Sequence, residues 1–211
     1  MNITLIIVII TSVISFSAFS NPRVTEQMIF YPPAITNQNQ WYRFFSCALI
    51  HADPPHLLFN MFSLYSFGGL VEENFKYLFG SLGPILYVAL YVISQFLCLL
   101  PTFSKHKNDY SYRSLGASGA VSAVIFAGIF LNPLVKLSLL FIPIGIPGFI
   151  FGFLYLGVTV YLDRKGGGSI NHSAHLFGAI AGIGLLVIFG YAFSQYDLFQ
   201  NFIAQIKSFS F

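Results

Sequence analysis

Charge is what this chain has least of. Only 8% of its 211 residues are Asp, Glu, Lys or Arg, against about a quarter in a soluble domain, which excludes an ordinary water-facing globule. Cysteine is almost as scarce: Cys47 and Cys98 form a lone pair without CxxC spacing, so neither a disulfide framework nor a zinc site is implied. The ten basic residues stand singly rather than in a stripe, and no nucleic-acid partner follows from them. Internal repeats, Pro-rich tracts and low-complexity segments are absent. The five histidines offer no HExxH. His172 and His175 stand at i, i+3, but His51 and His56 do not share a helix face, so no metal and no cofactor is expected.

What the chain has is apolar length. It is 56% hydrophobic, with apolar stretches at about 3–20, 56–71, 84–103, 116–135, 137–162 and 175–195, and a membrane-crossing helix needs roughly 20 such residues. Strands of a membrane barrel would alternate in polarity, whereas Leu5 to Ile10 is a continuous apolar run. The pattern predicts an all-α membrane protein, a single domain of six transmembrane helices over 1–211 with short loops. Ala18-Phe19-Ser20 has small residues at signal-cleavage spacing, but Met1-Asn2-Ile3 lacks a basic start, so the first stretch reads as a helix that stays. Gly166-Gly167-Gly168 marks a break before the last one.

Polar side chains at membrane depth are expensive and become the first candidates for function. Ser118 lies in Gly116-Ala117-Ser118-Gly119, where a charged loop enters an apolar stretch, and His175 opens the last stretch in the same way. His56 and Asn60, four apart, share a helix face. Gly178 and Gly182 continue the side of the helix that bears His175, a flat face for close approach. Ala120, Ala123, Ala127 and Gly128 would keep a partner helix slim enough to bring Ser118 to His175. Taken singly, each residue has a plainer reading: a packing serine, a loop-bonded histidine like His51 or His106, an asparagine bridging helices. Together they supply a nucleophile, a base and oxyanion donors, which is all that covalent serine catalysis needs.

The ordered series Trp41-Tyr42-Arg43, His51-Ala-Asp-Pro-Pro-His56-Leu-Leu-Phe-Asn60, Gly68-Gly69-Leu70-Val71-Glu72, Gly116-Ala-Ser118-Gly119 and Ala174-His175-Leu-Phe-Gly178 resembles a rhomboid intramembrane serine protease over about residues 41–191. That resemblance implies a six-helix rhomboid-like bundle of the bare bacterial form. Ser118 would be the nucleophile and His175 the general base, without an acid. His56, Asn60 and the Ser118 backbone N–H would form the oxyanion hole. Arg43 would anchor a partly embedded first loop, Gly116 and Gly119 would flank the nucleophile, and Gly178 would give the close helix contact beneath the base. Single-span membrane proteins would be the substrates, in the lipid bilayer of a bacterial cytoplasmic membrane.

The sequence departs from the family pattern in places. The aromatic residue that stacks on the histidine in some members would stand one turn after the serine, where this chain has Ser122, either a hydroxyl near enough to bond His175 or a small filler that brings two helices together. Tyr42 separates Trp41 from Arg43, and Asn171 and His172 offer further hydrogen bonds near the base. Loss of serine or histidine would mark a non-cutting pseudoenzyme, and both are present; midplane charges would mark a transporter, and none is seen. The resemblance places both termini in the cytoplasm and opens the site to the opposite face. Basic residues argue the reverse: Arg23, Arg43, Lys105, Lys107, Arg113, Arg164 and Lys165 would lie outside, against Lys76, Lys136 and Lys207 inside.

Overall fold

The computed structural model describes residues 2–139, 142–166 and 170–209. Helices α1 (Ile3–Ser20), α2 (Pro22–Met28), α3 (Pro32–Gln38) and α4 (Arg43–Ser46) come first. Then α5 (Pro54–Phe79) and α6 (Gly83–His106) follow almost without a break, and α7 (Ser118–Leu131) comes after a loop. A two-stranded antiparallel ladder of β1 (Lys136–Leu139) and β2 (Ile142–Pro147) precedes α8 (Gly148–Lys165), α9 (His172–Phe193) and α10 (Leu198–Lys207).

On α1 the usual polarity of a soluble helix is inverted. The buried residues of α1 are Thr4, Thr11, Ser15 and Ala18, while Ile9, Ile10, Val13 and Phe16 are exposed. On α5 and α8, Leu58, Phe59, Phe62, Phe153, Leu154 and Val158 also point outward. In lipid the apolar side chains need no burial, and small or hydroxylated residues are free to mediate helix contacts. Ile3–Ser20, Pro54–His106 and His172–Phe193 are long and apolar enough to cross a bilayer. The chain is a mostly helical integral membrane protein.

Several boundaries differ from the sequence expectation, each for a local reason. Helix α5 runs from Pro54 to Phe79 rather than over 56–71, because Glu72, where the apolar run ends, is accommodated inside. Its carboxylate accepts hydrogen bonds from the Ile3 and Thr4 amides (3.2 and 3.1 Å) and pairs with Lys76 at 3.1 Å, capping the positive end of α1. At α7 the helix stops at Leu131 rather than 135, since Pro133 disfavours helix in the residue before it. Asn171 caps α9 by accepting from the Ala174 N–H at 3.0 Å, so that helix starts at His172 instead of 175. The largest correction is the stretch 137–162. It is not one helix: Lys136–Leu139 and Ile142–Pro147 are strands, and both Pro143 and Pro147, which a helix interior does not tolerate, fall in β2. The ladder departs from an all-α fold. Residues 140 and 141 of that stretch, and Gly167 and Gly168 of the triple glycine, lie outside the described residues.

Helix α7 is the centre of the bundle, with eleven of its fourteen residues buried between α5, α6 and α9. Glycine contacts fix the directions. A Cβ on Gly178 would meet the Gly119 carbonyl, and one on Gly182 the Ala123 carbonyl, so α7 and α9 run parallel with their backbones touching. Gly116 faces the His56 ring while Gly128 faces Val71, which makes α5 parallel to both. The N-terminal ends of α5, α7 and α9 therefore lie together. Thr4 of α1 bonds Glu72 near the far end of α5, and α10 packs at the far end of α7 through the Phe130–Phe202 stack and the Gln205 bond to the Leu131 carbonyl. Both ends of the described chain sit opposite that cluster of N-termini.

Candidate active site

Ser118 is the first residue of α7, and no side chain among the described residues caps that helix. Orphan N–H groups of the first turn and the positive end of the helix dipole converge there, an electropositive setting for an oxygen that develops negative charge. Gly116, two residues earlier, has φ +113°, a conformation that favours glycine. A Cβ there would lie 2.8 Å from His56 Cε1, so the bare glycine is what lets the His56 ring come up beside the serine segment. Gly119 gives room on the other side, where a Cβ would strike Cys98 Sγ and come within 3.3 Å of the Ala174 carbonyl.

His56 is held by its own backbone. Asp53 caps α5 by accepting the His56 N–H at 2.7 Å, and Asn60, one turn on and buried, donates to the His56 carbonyl at 2.9 Å. Asn60 and His56 thus occupy one face of α5 at the Ser118 end. His175 lies one residue after Ala174, whose carbonyl faces Gly119, and is half-buried.

His51 does more than a loop histidine would. It is 3% exposed; its Nδ1 is 2.9 Å from Ser15 Oγ, and its Nε2 accepts the Ala117 N–H at 3.4 Å. Because Ser15 Oγ donates to the Leu49 carbonyl at 2.9 Å, the consistent tautomer carries its proton on Nδ1. One ring thereby ties α1, the first loop and the residue before Ser118. Burial, with a smaller contribution from nearby His56, holds its pKa down at about 4 against an opposing effect of Asp53.

Arg43 is buried and donates to the carbonyls of Glu26 (2.9 Å) and Ile29 (2.7 Å) and to Gln40 Oε1 at 2.6 Å, closing the first loop on itself. The Gly116 N–H donates to the Cys47 carbonyl at 2.9 Å, so this loop also braces the segment that leads into Ser118. Trp41 stacks on Phe44 at 5.8 Å. A cavity beside Ser118 is lined by Cys47, Gln95, Cys98, Asn171 and Ala174, and the buried Gln95 Oε1 has no partner among the described residues.

The partner of His175 is one the sequence did not point to. Tyr155 of α8 places its hydroxyl 3.2 Å from His175 Nδ1 and 3.3 Å from Ser122 Oγ. Ser122 therefore reaches His175 through a tyrosine rather than by a direct bond. Asn171 is engaged as the α9 cap and in bonds with Thr102, and the His172 ring stands 6.1 Å from that of His175. An aromatic one turn after the serine is legible from helix spacing; a tyrosine arriving from another helix is not.

Residues 38–192 match the family model described as the Rhomboid domain. The chain is 32% identical over 145 residues to RHOMBOID-like protein 12, mitochondrial, of Arabidopsis thaliana, covering 63% of this chain and 41% of that protein. It is 24% identical over 157 residues to Rhomboid protease GlpG of Haemophilus influenzae, covering 74% of this chain and 73% of that one. The chain thus spans less than half the length of the plant relative. One relative is mitochondrial and one bacterial, so the similarity does not support a bacterial origin over another.

Proposed function

The chain belongs to the rhomboid family, and we propose that it is an intramembrane serine endopeptidase in which Ser118 is the nucleophile and His175 the general base. The observation that carries this reading is the parallel contact of α7 on α9 at Gly119 and Gly178, which sets the two residues at the same end of adjoining helices. His175 Nε2 takes the Ser118 proton as Oγ attacks the scissile carbonyl. The tetrahedral oxyanion is received by the Ser118 N–H, His56 and the free Nδ2 proton of Asn60. Collapse expels the new amine, protonated by His175, and leaves an acyl-enzyme that water hydrolyses by the same route in reverse. The cavity at Gln95 would supply a polar berth for that water.

Substrates are single-span membrane proteins, cut within or near the transmembrane helix and reached in a six-crossing bundle. Helix α7 has 14 residues and is about 21 Å long, short of the ~30 Å hydrocarbon core, which would set Ser118 below one membrane face. The test is cleavage of a model single-span substrate by purified protein. Wild type should cut and be labelled at Ser118 by a fluorophosphonate, while Ser118→Ala and His175→Ala should each be inert yet folded. Cutting by Ser118→Ala at near the wild-type rate would overturn the assignment.

A further inference from the structure

Resting on the dyad just proposed, we infer that Tyr155 and Ser122 are positioning residues forming a directional relay that fixes the tautomer and aim of His175. A base for Ser118 needs the lone pair on Nε2, so the neutral ring must carry its proton on Nδ1. That proton requires an acceptor, and the Tyr155 hydroxyl oxygen at 3.2 Å is placed to be it. A hydroxyl is ambivalent, however. If its own proton turned toward His175, it would favour the opposite tautomer and occupy Nε2 with hydrogen. Ser122 Oγ, 3.3 Å from the same oxygen, gives the tyrosine proton somewhere else to go. The bonds then run one way, from His175 Nδ1–H to Tyr155 to Ser122, and Nε2 stays free.

The relay also links the base to an element with few buried residues of its own. Among the described residues of α8 only Gly148, Gly152 and Thr159 are buried, and Tyr155 is steadied by the Phe126 ring at 5.6 Å. A histidine oriented from α8 is competent only while α8 is docked on α7 and α9.

The variants are Tyr155→Phe, which keeps the ring and its contact with Phe126, Ser122→Ala, and the pair together. Cleavage of the single-span substrate should show kcat lowered about tenfold or more in Tyr155→Phe, the scale of one lost hydrogen bond, with KM within twofold and thermal unfolding unchanged. Ser122→Ala should lower kcat in the same direction. The double variant should be no worse than Tyr155→Phe, because one relay is lost only once. An activity-independent readout is the 15N shift pair of the His175 ring in labelled protein, assigned by its disappearance in His175→Gln. Wild type should show Nδ1–H, and Ser122→Ala a move toward Nε2–H. The inference is overturned if Tyr155→Phe retains kcat within twofold, if its loss tracks loss of folded protein, if the two substitutions act additively, or if the wild-type ring is protonated on Nε2. An inactive wild type with the Nδ1–H tautomer and the Ser122 effect intact would count against the protease reading and leave the relay standing.

Discussion

His56 and Asn60 stand one helical turn apart and are tied by the Asn60 bond to the His56 carbonyl. Asp53 and the two prolines after it start α5 just before His56, and the four-residue spacing puts Asn60 beneath it. In the proposed mechanism both are oxyanion donors, which act on the transition state, so Asn60→Ala or His56→Ala should lower kcat by up to roughly 100-fold to 1000-fold with KM nearly constant. An effect confined to KM would remove them from that role. His51 differs in kind: it holds structure through a neutral ring. Its folded pKa of about 4 lies below the ordinary 6.5, so the unfolded chain binds its proton first as pH falls. The stability owed to this neutral, buried ring is therefore full above pH 6.5 and drains away between 6.5 and 4, by about 3 kcal/mol at the lower end. Melting in detergent should fall through that window, and His51→Gln should flatten the slope; an unchanged slope would sink the assignment. At this scale the family spacing singled out Ser118, His175, His56, Asn60 and Arg43 as candidates, and the structure gathers Ser118, His56 and Asn60 at one end of adjoining helices. Tyr155 was illegible, because nothing in local spacing says that a ring from α8 will meet a histidine on α9.

At the scale of elements, the contact between α7 and α9 rests on missing side chains. The spacing of Gly178 and Gly182 already indicated a flat face, and the structure presses the α7 backbone against it. Gly182→Val should force the helices apart, lowering the melting temperature by the equivalent of about 1–3 kcal/mol and abolishing any cleavage. Gly184→Ala, two residues on, meets nothing within 4 Å and should leave both unchanged. Equal effects at the two positions would mean that the contact does not hold the pair. Helix ends were harder to read than helix cores. Apolar runs stop where charge begins, yet α5 carries Glu72 inside because the N-terminus of α1 neutralises it, and that partner lies 69 residues away in sequence. The stretch 137–162 misled for the opposite reason: its hydrophobicity was continuous while Pro143 and Pro147 had already cancelled the helix.

For the whole molecule the open quantity is which way it faces. Parallel α5, α7 and α9 place Ser118 and His56 at one end, and the α1 start and α10 at the other, so the proposed dyad lies on the side away from both described ends of the chain. That relation converts any measurement on one terminus into the orientation of the site. Seven basic residues, from Arg23 to Lys165, belong to the site side and three, Lys76, Lys136 and Lys207, to the other, which by the positive-inside bias would turn the site toward the cytoplasm. Some of those charges are already spent: Arg43 is buried on the Glu26 and Ile29 carbonyls, and Arg113 lies 4.4 Å from the Tyr31 ring and 4.0 Å from Glu26. A basic side chain fixed inside a folded loop reports less about orientation than one free in a connecting segment. The expected orientation keeps both termini cytoplasmic and opens the site to the opposite face, cutting substrates near their outer end. A reporter enzyme active only outside the cell, fused after Phe211 in a bacterial host, should stay silent, and the same reporter inserted after Lys107 in the α6–α7 loop should be active. Strong signal from the Phe211 fusion with silence at Lys107 would mean that the charge count governs and the site faces inward.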